Sequence, residues 1–199
     1  MAKQNNLLLL ILTIGVFGIL NTEMGVIGLL PSIADHFHVS ITKAGWLVSL
    51  FAFTIAVSGP TSPLLFSGIN RKKVMLLVLG VFVLGNMVSI FTSNFTILLM
   101  ARIIPAFFHP IYCSLAFTVV ASSVSQKEAP KAVSKVFIGV SAGMVAGVPI
   151  ASFIESAVSY EMAMAFFAIV NCIVFIATSM FVPTMPVEKD FLTVPSFPY

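Results

Sequence analysis

The sequence predicts an all-α membrane protein, six transmembrane helices arranged as an inverted 3+3 repeat. Three observations lead there. Hydrophobic residues make up 59% of the 199-residue chain and charged residues only 9%, against about 25% charged in an ordinary globular domain. The apolar residues gather into six long segments. The Lys and Arg residues then fall almost entirely on one side of those segments. A soluble chain of this length could not hide so much apolar surface, so the solvent it folds in is lipid.

The segments are Leu7–Leu30, Ala44–Phe66, Val74–Thr92, Thr96–Ser122, Val136–Ile154 and Ala163–Val182. Each is roughly 19 to 27 residues long, enough for an α-helix to cross about 30 Å of hydrocarbon. None alternates as a barrel strand does, so helices satisfy the backbone in lipid. The first is too long for a secretory signal and ends without a small-residue cleavage site, so it stays in the membrane. The second carries Pro60 and Pro63 and the fourth Pro105 and Pro110; each proline frees a carbonyl and kinks its helix. The third follows directly on Arg71, Lys72 and Lys73. The fifth carries Gly139, Gly143 and Gly147 at four-residue spacing, with Ala142, Ala146 and Pro149 nearby. Such a small-residue row lets a second helix backbone approach closely. The sixth completes a bundle over residues 1–182. Residues 183–199, with Pro183, Pro186, Pro195 and Pro198, are expected to form an irregular cytoplasmic tail or the start of a linker.

Orientation follows from the basic residues. Lys3, Arg71, Lys72, Lys73, Lys127, Lys131, Lys135 and Lys189 fall on one side and Lys43 alone on the other. Both termini are therefore expected in the cytoplasm, and the chain in the cytoplasmic (inner) membrane. The links between spans one and two and between four and five are both about 13 residues, and the remaining links within each triplet about 7 or 8, which suits a repeat of three spans. Three is odd, so the second triplet enters the membrane from the opposite side.

Ionisable groups inside hydrocarbon are costly and point to function. There are three: Glu23 in the first span, and Arg102 and His109 in the fourth. Counting about 1.5 Å per residue from the outer ends puts Glu23 about 10 Å deep and Arg102 about 9 Å deep. This predicts that the two face each other across a cavity. His109 lies two turns further in on nearly the same face, and Tyr112 extends that face. The alternative is a structural ion pair and a helix-packing histidine. Asn21 and Thr22, beside Glu23, are placed to line a cavity or bond to neighbouring helices.

Other chemistry is poorly served. Cys113 and Cys172 lie in apolar stretches without metal-ligand spacing. His36 and His38 lack a nearby third ligand, so neither a metal nor a cofactor is expected. No basic run suggests nucleic acid. Gly139-Val140-Ser141-Ala142-Gly143 matches a serine-hydrolase pattern, but that motif works at a strand-to-helix turn and not in a membrane span.

Several motifs resemble those of the bacterial drug/proton antiporter family of the major facilitator superfamily, in the branch of sugar and purine exporters. Asn21-Thr22-Glu23-Met24 with Gly28-Leu29-Leu30-Pro31-Ser32-Ile33-Ala34 resembles its first-helix signature. Val39-Ser40 to Ala44-Gly45, with Ala56 and Pro60, continues it. Leu99-Met100-Ala101-Arg102-Ile103 with Ala106 and His109 is similar to the fourth-helix arginine motif. Gly143, Gly147, Val148 and Pro149 resemble the fifth-helix glycine–proline motif. The likeness spans roughly residues 10 to 182, in the family's order. There are departures: Ser67 stands where the family carries an acid, Asn70-Arg71-Lys72-Lys73 lacks the usual glycine, and Pro110 replaces another.

The resemblance implies half of a twelve-helix fold and a transporter, not an enzyme. It implies proton-coupled efflux of a small molecule, with Glu23 alternating between proton and substrate. It also implies that the fifth-span glycines and the basic residues Arg71, Lys72 and Lys73 meet partners outside this chain, a carboxy-terminal half or a second copy. A six-helix fragment or assembly partner with no transport cycle is the alternative.

Overall fold

The computed structural model describes residues 2–184; of the tail expected over 183–199, all from residue 185 onward lies outside the described residues. Nine helices are found among them: α1 (Ala2–Gly28), α2 (Leu30–His36), α3 (Ile41–Ala44), α4 (Trp46–Ser58), α5 (Ser62–Leu65), α6 (Arg71–Phe91), α7 (Phe95–Ser122), α8 (Ala129–Ala157) and α9 (Tyr160–Phe181). Six stretches are long and apolar enough to cross a membrane: those of α1, α6, α7, α8 and α9, and Ile41–Ser58, which joins α3 and α4.

Local chemistry sets the ends. Asn70 Oδ1 accepts from the Lys72 and Lys73 N–H groups and starts α6. Asn94 does the same for Thr96 and Ile97 at the start of α7, and the Ser159 hydroxyl accepts from the Met162 N–H in α9. These side chains satisfy donors that a helix start leaves bare. Prolines act by position. Pro60 has no N–H, and the helix stops at Ser58 and resumes as the short α5, so the expected continuous second span is broken. Pro105, Pro110 and Pro149 stay inside α7 and α8, where neighbouring helices hold the interrupted backbone.

The fifth span corrects the sequence reading most. Helix α8 begins at Ala129, with Pro130 in its first turn, so Lys131 and Lys135 lie within a helix that extends below the apolar stretch. Arg71, Lys72 and Lys73 likewise form the first turn of α6 and not a loop. Hydropathy marks where lipid ends, whereas capping marks where a helix ends. The equal links on which the repeat was argued therefore shrink to unequal ones. The packing restores the repeat on better grounds. The most extensive pairing joins α1 to α8, spans one and five, and its counterpart joins α7 to α4, spans four and two. Likewise α6·α7 matches α9·α1, and α6·α9 maps onto itself. Exchanging the triplets exchanges these pairings, while α8·α9 has no equally close counterpart between α4 and α6; three spans invert the direction.

Two clusters of buried apolar side chains fill the bundle. One includes Leu12, Val16, Ile19, Phe82 and Tyr112. The other, around Leu29, Ile33, Leu47 and Phe167, seals the end that carries α2 and α3.

Candidate functional site

Helix α1 delivers Asn21, Thr22 and Glu23 to the middle of the bundle. Helix α7 faces it with Arg102, His109 and Tyr112, and α9 adds Asn171. All of these except the partly covered Glu23 are buried. The expected pairing of Glu23 with Arg102 is corrected: Glu23 Oε2 lies 3.1 Å from His109 Nε2, and Arg102 Nη2 donates to the Thr22 carbonyl at 2.8 Å. The reason is the direction of side chains. Cα–Cβ bonds tilt toward the start of a helix and carbonyls toward its end. In the antiparallel pair α1 and α7, Glu23 leans toward the end of the bundle where α1 starts, while His109 and Arg102 lean toward the end where α7 starts. Glu23 thus meets the residue two turns below, and Arg102 passes it to a carbonyl. Glu23 remains one of the charges acting on Arg102.

The Glu23–His109 contact is close, but it does not meet the geometry of a hydrogen bond. Phe51 of α4 packs against both Arg102 and His109. The Arg102 guanidinium lies 5.2 Å from its ring centre, within cation–π range, and the His109 ring meets it edge-on at 6.2 Å. A small cavity of about 70 Å³ opens between α1 and α4, bounded by Glu23, Met24, Ile27, Leu47, Val48, Phe51 and Ala52. Glu23 is the ionisable group in an otherwise apolar lining. A wider groove of about 340 Å³ between α6 and α7 has apolar walls, among them Val88, Ile97 and Met100, and no charged group, so it fits hydrocarbon.

The remaining expected residues are dispersed. The Asn21 carboxamide is fully buried and finds no hydrogen-bond partner among the described residues. The Tyr112 hydroxyl sits where a Cβ on Gly15 would be. His36 Nδ1 approaches Glu161 Oε1 at 3.7 Å, and its ring lies by Tyr160. His38 adopts a left-handed φ of 52°. Among the described residues no three ligands gather for a metal. Lys72 Nζ donates to the Ser179 carbonyl at the end of α9.

The glycine row is also corrected. Gly139, Gly143 and Gly147 are buried on α8, and they face α1 and not an outside partner. A Cβ on Gly143 would stand 2.9 Å from the Phe17 carbonyl oxygen and 2.7 Å from Leu20 Cβ. At Gly139 it would strike the Thr13 carbonyl. Pro149 follows in the same helix. Sequence reasoning missed Asn171 and Phe51. A lone amide in the apolar sixth span was the available signal for Asn171; nothing set Phe51 apart from 18 other phenylalanines.

Six spans related by an inverted repeat, with ionisable side chains of α1 and α7 meeting between them, define a six-helix membrane bundle. The family model of the Major Facilitator Superfamily matches residues 12–194, and the chain belongs to that superfamily. It is 35% identical over 182 residues to the uncharacterized MFS-type transporter YtbD of Bacillus subtilis (strain 168), covering 92% of this chain and 46% of that protein. It is 34% identical over 154 residues to the inner membrane transport protein YdhP of Escherichia coli (strain K12), covering 77% and 40%. Its fold matches the crystal structure of the human organic anion transporter MFSD10 (TETRAN) with a TM-score of 0.74 at 18% identity, over 93% of this chain and 49% of that one. The chain thus spans about half the length of the relatives it matches.

Proposed function

We propose that this chain forms the amino-terminal half of a proton-coupled exporter of a small amphipathic molecule, in the cytoplasmic membrane with both ends of the bundle in the cytoplasm. The observation that carries the reading is the Glu23 carboxylate, set in an apolar cavity wall 3.1 Å from His109. A carboxylate and an imidazole are the side chains suited to exchanging protons inside a membrane. With a proton bound, Glu23 is neutral and fits its apolar wall. Without it, His109 and the field of Arg102 hold the charge. Proton and substrate then compete for one surface, which is what exchange requires.

A transport cycle needs a second six-helix body to close the cavity. The half-length match to relatives supports one, as do the exposed apolar faces at Phe53 and Val57 of α4 and at Ile138, Val145 and Phe153 of α8. Native mass measurement in detergent separates a carboxy-terminal half, a second copy and a lone bundle.

The central test uses the natural gene product reconstituted into vesicles with an imposed pH gradient. Glu23→Gln is expected to abolish gradient-driven export while leaving membrane yield intact. Undiminished export would remove Glu23 from the mechanism. For topology, reporter fusions at Ser125 should read cytoplasmic and at His38 external; an external reading at Ser125 overturns the orientation.

A further inference from the structure

Asn171 of α9 has no exposed surface. Its Nδ2 donates to Thr22 Oγ1 at 2.9 Å and to the Phe167 carbonyl at 2.9 Å. The Thr22 hydroxyl donates in turn to the Gly18 carbonyl at 2.8 Å. Its proton is thereby committed to its own helix, and its lone pair is turned toward α9. Gly18 shapes the seat: a Cβ there would stand 3.5 Å from Asn171 Oδ1 and 3.0 Å from Val170 Cγ1. From the other side Arg102 holds the carbonyl of the same Thr22. One residue of α1 is therefore gripped by its side chain from α9 and by its backbone from α7.

The next residue is Glu23. Because a helix turns as a rigid screw, fixing the rotation of α1 at Thr22 fixes the direction in which Glu23 leaves it. Packing alone does not account for an amide here. Asn171 Oδ1 finds no partner among the described residues, a cost that a leucine would avoid. We propose that Asn171 is a positioning residue, which through Thr22 sets the rotation of α1 and hence the approach of Glu23 to His109. The importance of that approach rests on the proton-coupled reading above; the geometry does not.

The test is nitrogen-15 NMR of histidine-labelled natural gene product in lipid nanodiscs, with the His109 resonance assigned by its loss in His109→Gln. Glu23→Gln sets the reference displacement of the Nε2 signal. Asn171→Val and Thr22→Val should each displace that signal in the same direction, and the double variant no further than either, since both break one bond. Asn86→Val, which alters another buried amide, should leave it in place. An unmoved signal in folded Asn171→Val, or displacements that add in the double variant, overturns the proposal. If Asn171→Val does not fold, Thr22→Val decides alone, and an unmoved signal there overturns it equally. A moved signal with export indifferent to the pH gradient would instead overturn the functional reading.

Discussion

Helix α1 treats its neighbours in opposite ways. Against α8 it presents bare backbone: Thr13, Phe17 and Asn21 main-chain atoms lie where side chains on Gly139, Gly143 and Gly147 would be. Against α7 and α9 it meets polar side chains that reach across to it, Arg102 and Asn171 at Thr22 and His109 at Glu23. The first seam gains its stability from van der Waals contact along its whole length and has no alternative register. The second depends on a few directional contacts that can be exchanged one at a time. The proposed transport cycle would use both, a joint that holds and a joint that can be re-made.

The contrast can be broken most severely at the tight seam. Gly143→Leu must displace the Phe17 carbonyl and Leu20, and overpacking of this kind costs about 1–3 kcal/mol or more. The expected result is loss of folded protein from detergent extracts although the chain still inserts; wild-type yield would show that the seam yields. Arg102→Met comes next. It removes a charged hydrogen bond worth about 1.5–3 kcal/mol and the contact with Phe51, and the midpoint of thermal unfolding in detergent should fall clearly. Adding Glu23→Gln should recover part of that loss without recovering export, because both charges then leave together.

At Thr22→Val the effect shrinks to about 0.6 kcal/mol, the mean for hydrogen bonds between membrane helices. Its signature is export altered out of proportion to stability; a stability loss as large as that of Gly143→Leu would erase the distinction between the seams. The smallest effect belongs to Val145→Ala on the outer face of α8, where 76% of the residue is exposed. Unfolding of the isolated bundle should change by less than about 0.5 kcal/mol, while association with a second body, measured by native mass, reports whether that face is covered.

The six spans were legible because their apolar runs match the membrane; the second was expected to run on, kinked, through Pro60 to Phe66, and it stops instead at Ser58 because proline removes a donor. The ionisable residues Glu23, Arg102 and His109 stood out too, because such groups are conspicuous in hydrocarbon. Their pairing was not legible. Depth counted along the axis ignores that side chains lean toward helix starts, and in antiparallel helices the two leans add. Spacing marked the glycine row as a contact face but could not say which helix meets it. Asn171 escaped for a different reason: one amide in an apolar run has no local sign of the residue that receives it.

The short second span has a consequence for the lipid itself. Ile41–Ser58 holds 18 residues, about 27 Å of helix at 1.5 Å per residue, less than the roughly 30 Å of a typical hydrocarbon layer. Helix α7, apolar from Thr96 to Ser122, exceeds that thickness, whereas α8 is apolar only from Val136 onward and matches it. Mismatch of opposite sign at the neighbouring spans α4 and α7 is the kind a bilayer relieves by thinning beside the short span and by tilt of the long one. The protein's shape is thereby coupled to membrane thickness, and acyl-chain length becomes a physical variable acting on it.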